Sequence, residues 1–155
     1  MRIATWFHAA AVAAIAAFGC ATAFAQAAGS EPRIVLKGHD PVAYFTEGKP
    51  VMGSARFSHD WDGARYHFAS AANRERFAGD PDRYAPRYSG YCTGSMSRGI
   101  RNEGDPEIWT IVDGKLFFFG SGKGREVGLA AREKLRADPV GVQALAQKHW
   151  ETLRR

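Results

Sequence analysis

Cys92 stands in the stretch RYSGYCTGSMSRG, residues 87–99, among three glycines, three serines and a methionine. Its side chain admits three chemistries: a metal ligand, a nucleophile, or a small buried hydrophobe. His39, His59, His67, Met52 and Met96 are its neighbours along the chain. Imidazole, thiolate and thioether donors together suit copper, zinc or haem iron. No C-x-x-C, H-x-x-H or H-E-x-x-H spacing occurs, so a metal site from Cys92, His59, His67 and Met96, with His39 as a further donor, has to be assembled from distant segments. In the bland alternative, His59 and His67 are hydrogen-bonded hairpin residues and Met96 is an exposed loop residue.

A nucleophilic thiol needs a base within about 3 Å and a lowered pKa. The turn from Gly90 to Ser95 could present backbone N–H groups to an anion. No Ser-His-Asp or paired-carboxylate arrangement is visible, so no catalytic residue is assigned. A ligand-recognition surface is expected instead from the loop Tyr84–Arg98 and the "HDPVAY" turn, with Cys92, Tyr91, Tyr44, His39 and Asp40 as its binding residues. Asp40 and Asp80 each precede a proline, where their plain role is to cap a turn or helix. Tyr44, Tyr66, Tyr84, Tyr88 and Tyr91 either line an aromatic pocket with Trp61 and Trp109 or fill the core. "GSGKGRE", residues 120–126, lacks the G-x-x-x-x-G-K-[ST] spacing of a phosphate loop.

The elements that must position these groups follow from pattern. Ile34-Val35-Leu36 reads as a short strand, and Asp40-Pro41 opens a helical turn carrying Val42, Tyr44 and Phe45. "ARFSHDWDGARYHFAS" alternates about Asp62-Gly63, with Phe57, His59 and Trp61 on one face and Tyr66 and Phe68 sharing another, the pattern of a hairpin. Ser70 caps a helix, and Phe68, Ala72 and Phe77 are expected as shared core. Residues 82–107 show no period, as functional loops often do. A second hairpin turns at Asp113-Gly114 and should bury Trp109, Ile111 and Leu116 to Phe119. Two helices broken at Asp138-Pro139 end the chain, the first lined by Val127, Leu129, Ala130 and Leu135. The second is lined by Val142, Leu145, Ala146, His149, Trp150 and Leu153. The sum is an α+β domain with one compact core: a small antiparallel sheet from two β-hairpins, helices packed against it, and C-terminal helices.

The first residues, "MRIATWFHAAAVAAIAAFGCATAFAQAAG", hold one early positive charge, a short apolar run and Ala23-Phe24-Ala25, the features of a secretory signal peptide cleaved before Gln26. The run is too short to cross a bilayer, which takes about 20 residues. Lipid modification at Cys20, in "AFGC", is the competing reading. The organisation expected is signal peptide 1–25, flexible leader 26–33, main domain 34–120 and helical extension 121–155. A periplasmic or secreted location follows, and in that oxidising compartment Cys92 is left without an intrachain partner. Lysine and arginine number 21 against 16 acidic residues, but the charges are interspersed and the longest basic cluster is the terminal "LRR". Nucleic acid is therefore excluded as a partner, and the mature chain has no transmembrane segment; a small ligand or an unidentified protein is left.

"DPVAYF", "W-x-G-x-x-Y-x-F-x-S-x-x-N-R-x-x-F", "DP-x-x-YAP-x-Y-x-GYC" and "W-x-I-V-D-G-K-L" occur in order over residues 34–120. In this combination the chain resembles the exported, single-domain YHS proteins of bacteria. The resemblance implies a small binding or accessory protein. Smaller YHS relatives in metal-handling proteins carry cysteines in "DPVCG" and "FCSxxC" segments, where this chain has Ala43, Ala69 and Asn73. Alanine offers no donor atom, so the resemblance implies a fold inherited without that thiolate site. Three functions are open: a binding or accessory protein, a metal or haem carrier using Cys92 with histidines, and a thiol redox protein.

Overall fold

The computed structural model describes residues 31–120 and 122–154. The expected signal peptide, Cys20 and the leader as far as Ser30 lie outside the described residues. Strands β2 (Ser54–Trp61) and β3 (Ala64–Phe68) form the first hairpin. Its turn places Asp62 and Gly63 at φ 46° and 72°, the left-handed pair that matches strand twist in a two-residue hairpin loop. Strand β1 (Arg33–Ile34) adds to β3 in parallel, giving the order β1-β3-β2. Arg33, assigned to the leader by composition, is thus a strand residue. The strand expected over Ile34–Leu36 is cut short because Leu36 and Lys37 turn left-handed, at φ 53° and 52°. Burial of Val35 and Leu36 offsets that strain.

Helix α1 (Ala43–Thr46) follows Asp40-Pro41, and helix α2 (Ala71–Gly79) is capped by Ser70, whose hydroxyl accepts from the Asn73 N–H at 3.1 Å. Phe77 on α2 meets Phe68 and Tyr66 with ring centroids 5.2 and 4.7 Å apart. Ala72, expected in the core, is exposed; Asn73 is the buried residue, turned inward by a hydrogen bond described below. The aperiodic stretch is a chain of short turns: α3 (Pro81–Tyr84), a 3-10 turn over Arg87–Gly90, and α4 (Thr93–Met96). Each element is too short to show a period. Met96 is fully buried, correcting its reading as an exposed loop residue.

The second hairpin, β4 (Asp105–Val112) and β5 (Lys115–Phe119), turns at Asp113-Gly114 and forms its own two-stranded sheet. Instead of one core there are two, and β5 feeds both. Leu116 and Phe118 join Tyr44, Tyr66, Phe68 and Phe77, whereas Phe117 and Phe119 join Met96, Ile108, Leu135 and Ala146. On β4, Pro106, Ile108 and Thr110 are the buried residues, while Trp109 and Ile111 are half-buried against the first cluster.

Helices α5 (Arg125–Ala137) and α6 (Pro139–Leu153) break at Asp138, which caps α6 through the Gly141 N–H at 2.9 Å. They supply the second cluster, and Glu31–Arg155 form one compact unit. The inward stripe of α5 is Gly128 and Leu135, both buried, with Leu129 and Ala131 half-buried beside them; Val127 and Ala130 are exposed, as is Leu145 on α6. The shift of one position on α5 brings Gly128 against the backbone carbonyl of Gly120. No described helix is long and apolar enough to cross a membrane.

Burial pushes the Tyr66 phenol up to about 12 from its ordinary 10, against a smaller lowering by the Ser89 hydrogen bond. Unfolded, Tyr66 ionises near pH 10; folded, it holds its proton to about 12. Stability present below pH 10 is therefore lost as pH rises through that window. Urea midpoints measured from pH 9 to 11.5 should fall steeply, and Tyr66→Phe should flatten the fall.

Candidate functional site

Cys92 precedes α4 and lies beside β5, in a parallel bridge with Phe118; its own N–H donates to the Asn102 carbonyl at 2.8 Å. Its thiol, 6% exposed as a residue, borders a cleft of about 500 Å3. Ser95 and Asn102 add a hydroxyl and an amide to the lining, and the Asn102 amide donates to the Ser95 hydroxyl at 3.1 Å.

Glycine makes much of the wall. A methyl group on Gly104 would stand 2.5 Å from the Gly90 carbonyl oxygen, and one on Gly128 would stand 2.6 Å from the Gly120 oxygen. Close approach of backbone to backbone therefore requires glycine at both positions. Gly120, Gly122 and Lys123 also line the cleft, so the glycine-lysine stretch set aside on motif spacing is part of its surface.

Lys37, Arg98 and Lys123 stand round this cleft, and none forms an ion pair among the described residues. The acidic lining is engaged elsewhere. Glu103 pairs with Arg33 at 3.1 Å, and Asp105 accepts the Glu107 N–H at 2.9 Å. The cleft therefore presents uncommitted positive charge over a backbone-walled floor, a setting that favours an anion.

The other expected site residues are dispersed. Tyr44 is buried, donates its hydroxyl to the Pro106 carbonyl at 3.1 Å, and packs edge-on against Trp109 and Phe118. Burial pushes its phenol well above the ordinary range, with Glu107, Asp105 and Asp40 adding to the rise. Tyr91 lies under the Arg33 guanidinium, 4.3 Å from its ring centroid. His39 Nδ1 is 2.9 Å from the Leu36 carbonyl oxygen. His59 pairs with Tyr66 across the hairpin and its ring meets Phe77, whereas His67, next along β3, turns to the opposite face beside Gly38 and Met52. Met96 shares the second cluster with Cys92. The structure thus brings Cys92 and Met96 into one cluster and does not bring the three histidines to them. Among the described residues no three His, Cys, Asp or Glu side chains gather where they could hold a metal ion.

Asp40 is fully buried and faces inward. Its Oδ1 accepts the Val42 N–H at 2.8 Å, and its Oδ2 accepts the Ala69 N–H at 2.9 Å and the Asn73 amide at 2.7 Å. Of the two roles expected of Asp40, turn formation is observed through the Val42 N–H, while the N-cap position of α1 falls at Val42 with no side-chain cap; the carboxylate also ties the α1 turn to the start of α2. Asn73 was not legible as its partner, because a polar residue one turn into an amphipathic helix ordinarily faces water.

Residues 42–88 match the YHS domain model. No curated protein and no solved structure matches the chain. The YHS segment comprises α1, the first hairpin, α2, α3 and the turn through Tyr88, and so it contains the Asp40 partners Val42, Ala69 and Asn73. Of the positions where the resemblance puts cysteines in smaller relatives, Ala69 and Asn73 bond Asp40 directly, and Ala43 is buried next to Val42. A hydrogen-bonded carboxylate stands at the place where that resemblance would set thiolates. The Cys92 cleft lies beyond the YHS segment, between α4, the end of β5 and α5.

Asp40→Ala should cost about 3 kcal/mol in urea unfolding, since it leaves two buried donors without an acceptor. Asn73→Ala removes only one of the three bonds and should cost about half as much.

Proposed function

We propose that the protein is a small exported binding or accessory protein whose ligand seat is the cleft beside Cys92, and that its ligand is a small anion. The observation that carries this reading is the set of unpaired cations, Lys37, Arg98 and Lys123, round a glycine-walled cleft of about 500 Å3. Pockets of this size suit small molecules. The YHS match supports a binding or accessory role, and the loop expected to carry recognition supplies Cys92, Gly94, Ser95 and Arg98 to the cleft. Export rests on the first 25 residues, with their apolar run and Ala23-Phe24-Ala25.

A copper, zinc or haem carrier would need donors beside Cys92 that the described residues do not gather, so no step is derived through a metal. Thiol redox chemistry would need a second thiol or a base next to Cys92, and no observation favours it.

The test uses alkylation of Cys92 by neutral iodoacetamide. Phosphate, citrate and short dicarboxylates are the probes, with their uncharged esters as controls. At least one anion should slow alkylation saturably, and Arg98→Gln with Lys123→Gln should weaken that protection by about tenfold, as loss of charge-assisted contacts does. Protection by no anion would defeat the anion reading. Stoichiometric metal or haem in protein purified without chelator would replace it with the carrier reading.

Export has its own measurement. Protein recovered from the periplasm or medium should begin at Gln26 by intact mass, whereas a lipid adduct on Cys20 would establish the lipoprotein alternative.

A further inference from the structure

A second cavity lies away from the Cys92 cleft, where the first hairpin turn, the 3-10 turn Arg87–Gly90 and α6 meet. It has two lobes, of about 150 and 300 Å3, which share Asp62, Ser89, Trp150 and Arg154 and so form one groove. Trp150 stands between the lobes, its ring centroid 6.2 Å from Tyr88 in one and 6.2 Å from Tyr91 in the other. Trp61 and Tyr66 complete the aromatic lining of the smaller lobe.

Arginine is the other component. Arg87 donates to the Gln147 side-chain oxygen at 2.7 Å through Nη2, but its Nε–H is buried and has no acceptor. Arg87 is thus held in the wall by Gln147 rather than offered to the cavity. Arg101, in the larger lobe, is exposed and forms no ion pair among the described residues. Arg33 and Arg154 also line the groove, against only Asp62 and Asp82. Asp62 is already held by Arg154 at 3.1 Å.

The sign of the ligand follows from where the guanidinium groups sit. Arg33, Arg87 and Arg154 lie 4.3, 5.6 and 5.8 Å from the centroids of Tyr91, Tyr88 and Trp150. The ring faces that would attract a cationic ligand already have cations beside them. Flat rings for stacking, combined with planar forked donors, match a flat molecule bearing a carboxylate. We propose that this groove binds a planar aromatic carboxylate in its larger lobe, with its ring against Trp150 and its carboxylate on Arg101. The site joins the YHS segment, through Trp61, Tyr66, Arg87 and Tyr88, to the C-terminal helix, through Gln147 and Trp150. It is independent of the Cys92 cleft, with which it shares no lining residue.

The test is a titration of isotopically labelled protein with 1-naphthoate, reading the tryptophan indole N–H resonances assigned by Trp→Phe variants. Trp150 should shift saturably and Trp109 should not. The neutral 1-naphthalenemethanol should bind at least about tenfold more weakly. Arg101→Gln, at an exposed position, should weaken naphthoate by about two- to fivefold. The proposal is overturned by equal binding of the neutral analogue, by naphthoate shifts confined to Gly120–Gly128, or by no shift up to the solubility limit.

Discussion

A strand whose successive side chains point into two different hydrophobic clusters has no face left for water, and every layer around it is needed to cover one side or the other. Strand β5 is in that position. Leu116 and Phe118 lie against the first hairpin, α1 and α2, while Phe117 and Phe119 lie against α4, α5 and α6. Fully burying a large apolar side chain contributes about 1.5–3 kcal/mol, so neither half can separate without exposing two such residues. This is why the C-terminal helices belong to the same compact unit as the YHS segment.

The polar tie at Asp40 solves a different problem. The first cluster is closed by two short pieces of chain, the α1 turn and the start of α2, that are distant in sequence and too short to hold themselves. One buried carboxylate satisfies a backbone N–H from each and the Asn73 amide as well. Such a group rigidifies its surroundings because any movement leaves a donor unpaired in a low-dielectric interior. With the turn fixed, Tyr44 reaches across to the Pro106 carbonyl at the start of β4 and links α1 to the second sheet.

The sequence was most legible where local chemistry decides structure. Both Asp-Gly turns, the caps at Ser70 and Asp80, and the two terminal helices with their break at Asp138-Pro139 could be read from residue type alone. The run Leu116–Phe119 announced burial but not its two-sidedness, since an unbroken apolar run and an alternating one differ only in what covers the second face. Cys92 was recognisable as a group of interest, and its cleft was not. Lys37, the Arg98–Asn102 pair and Lys123 come from three separate stretches, and nothing in the spacing of charged residues distinguishes a cleft lysine from a solvated one. Asn73 and Ala72 were exchanged because periodicity reports average polarity, whereas the observed burial is set by one hydrogen bond. The aromatic pocket was half legible: Tyr66, Tyr88, Tyr91 and Trp61 line a groove, but Tyr44, Tyr84 and Trp109 pack elsewhere, and Trp150 from α6 is its centre.

The glycine wall of the Cys92 cleft divides its surface into a part that can be redesigned and a part that cannot. Any side chain at Gly104 or Gly128 collides with backbone, so the shape of the floor is locked to the meeting of β5, α4 and α5. Lys37, Arg98 and Lys123 have no such obligation. A library meant to retarget the cleft should therefore randomise the rim alone, and would sample changes of charge and reach while inheriting an unaltered cavity.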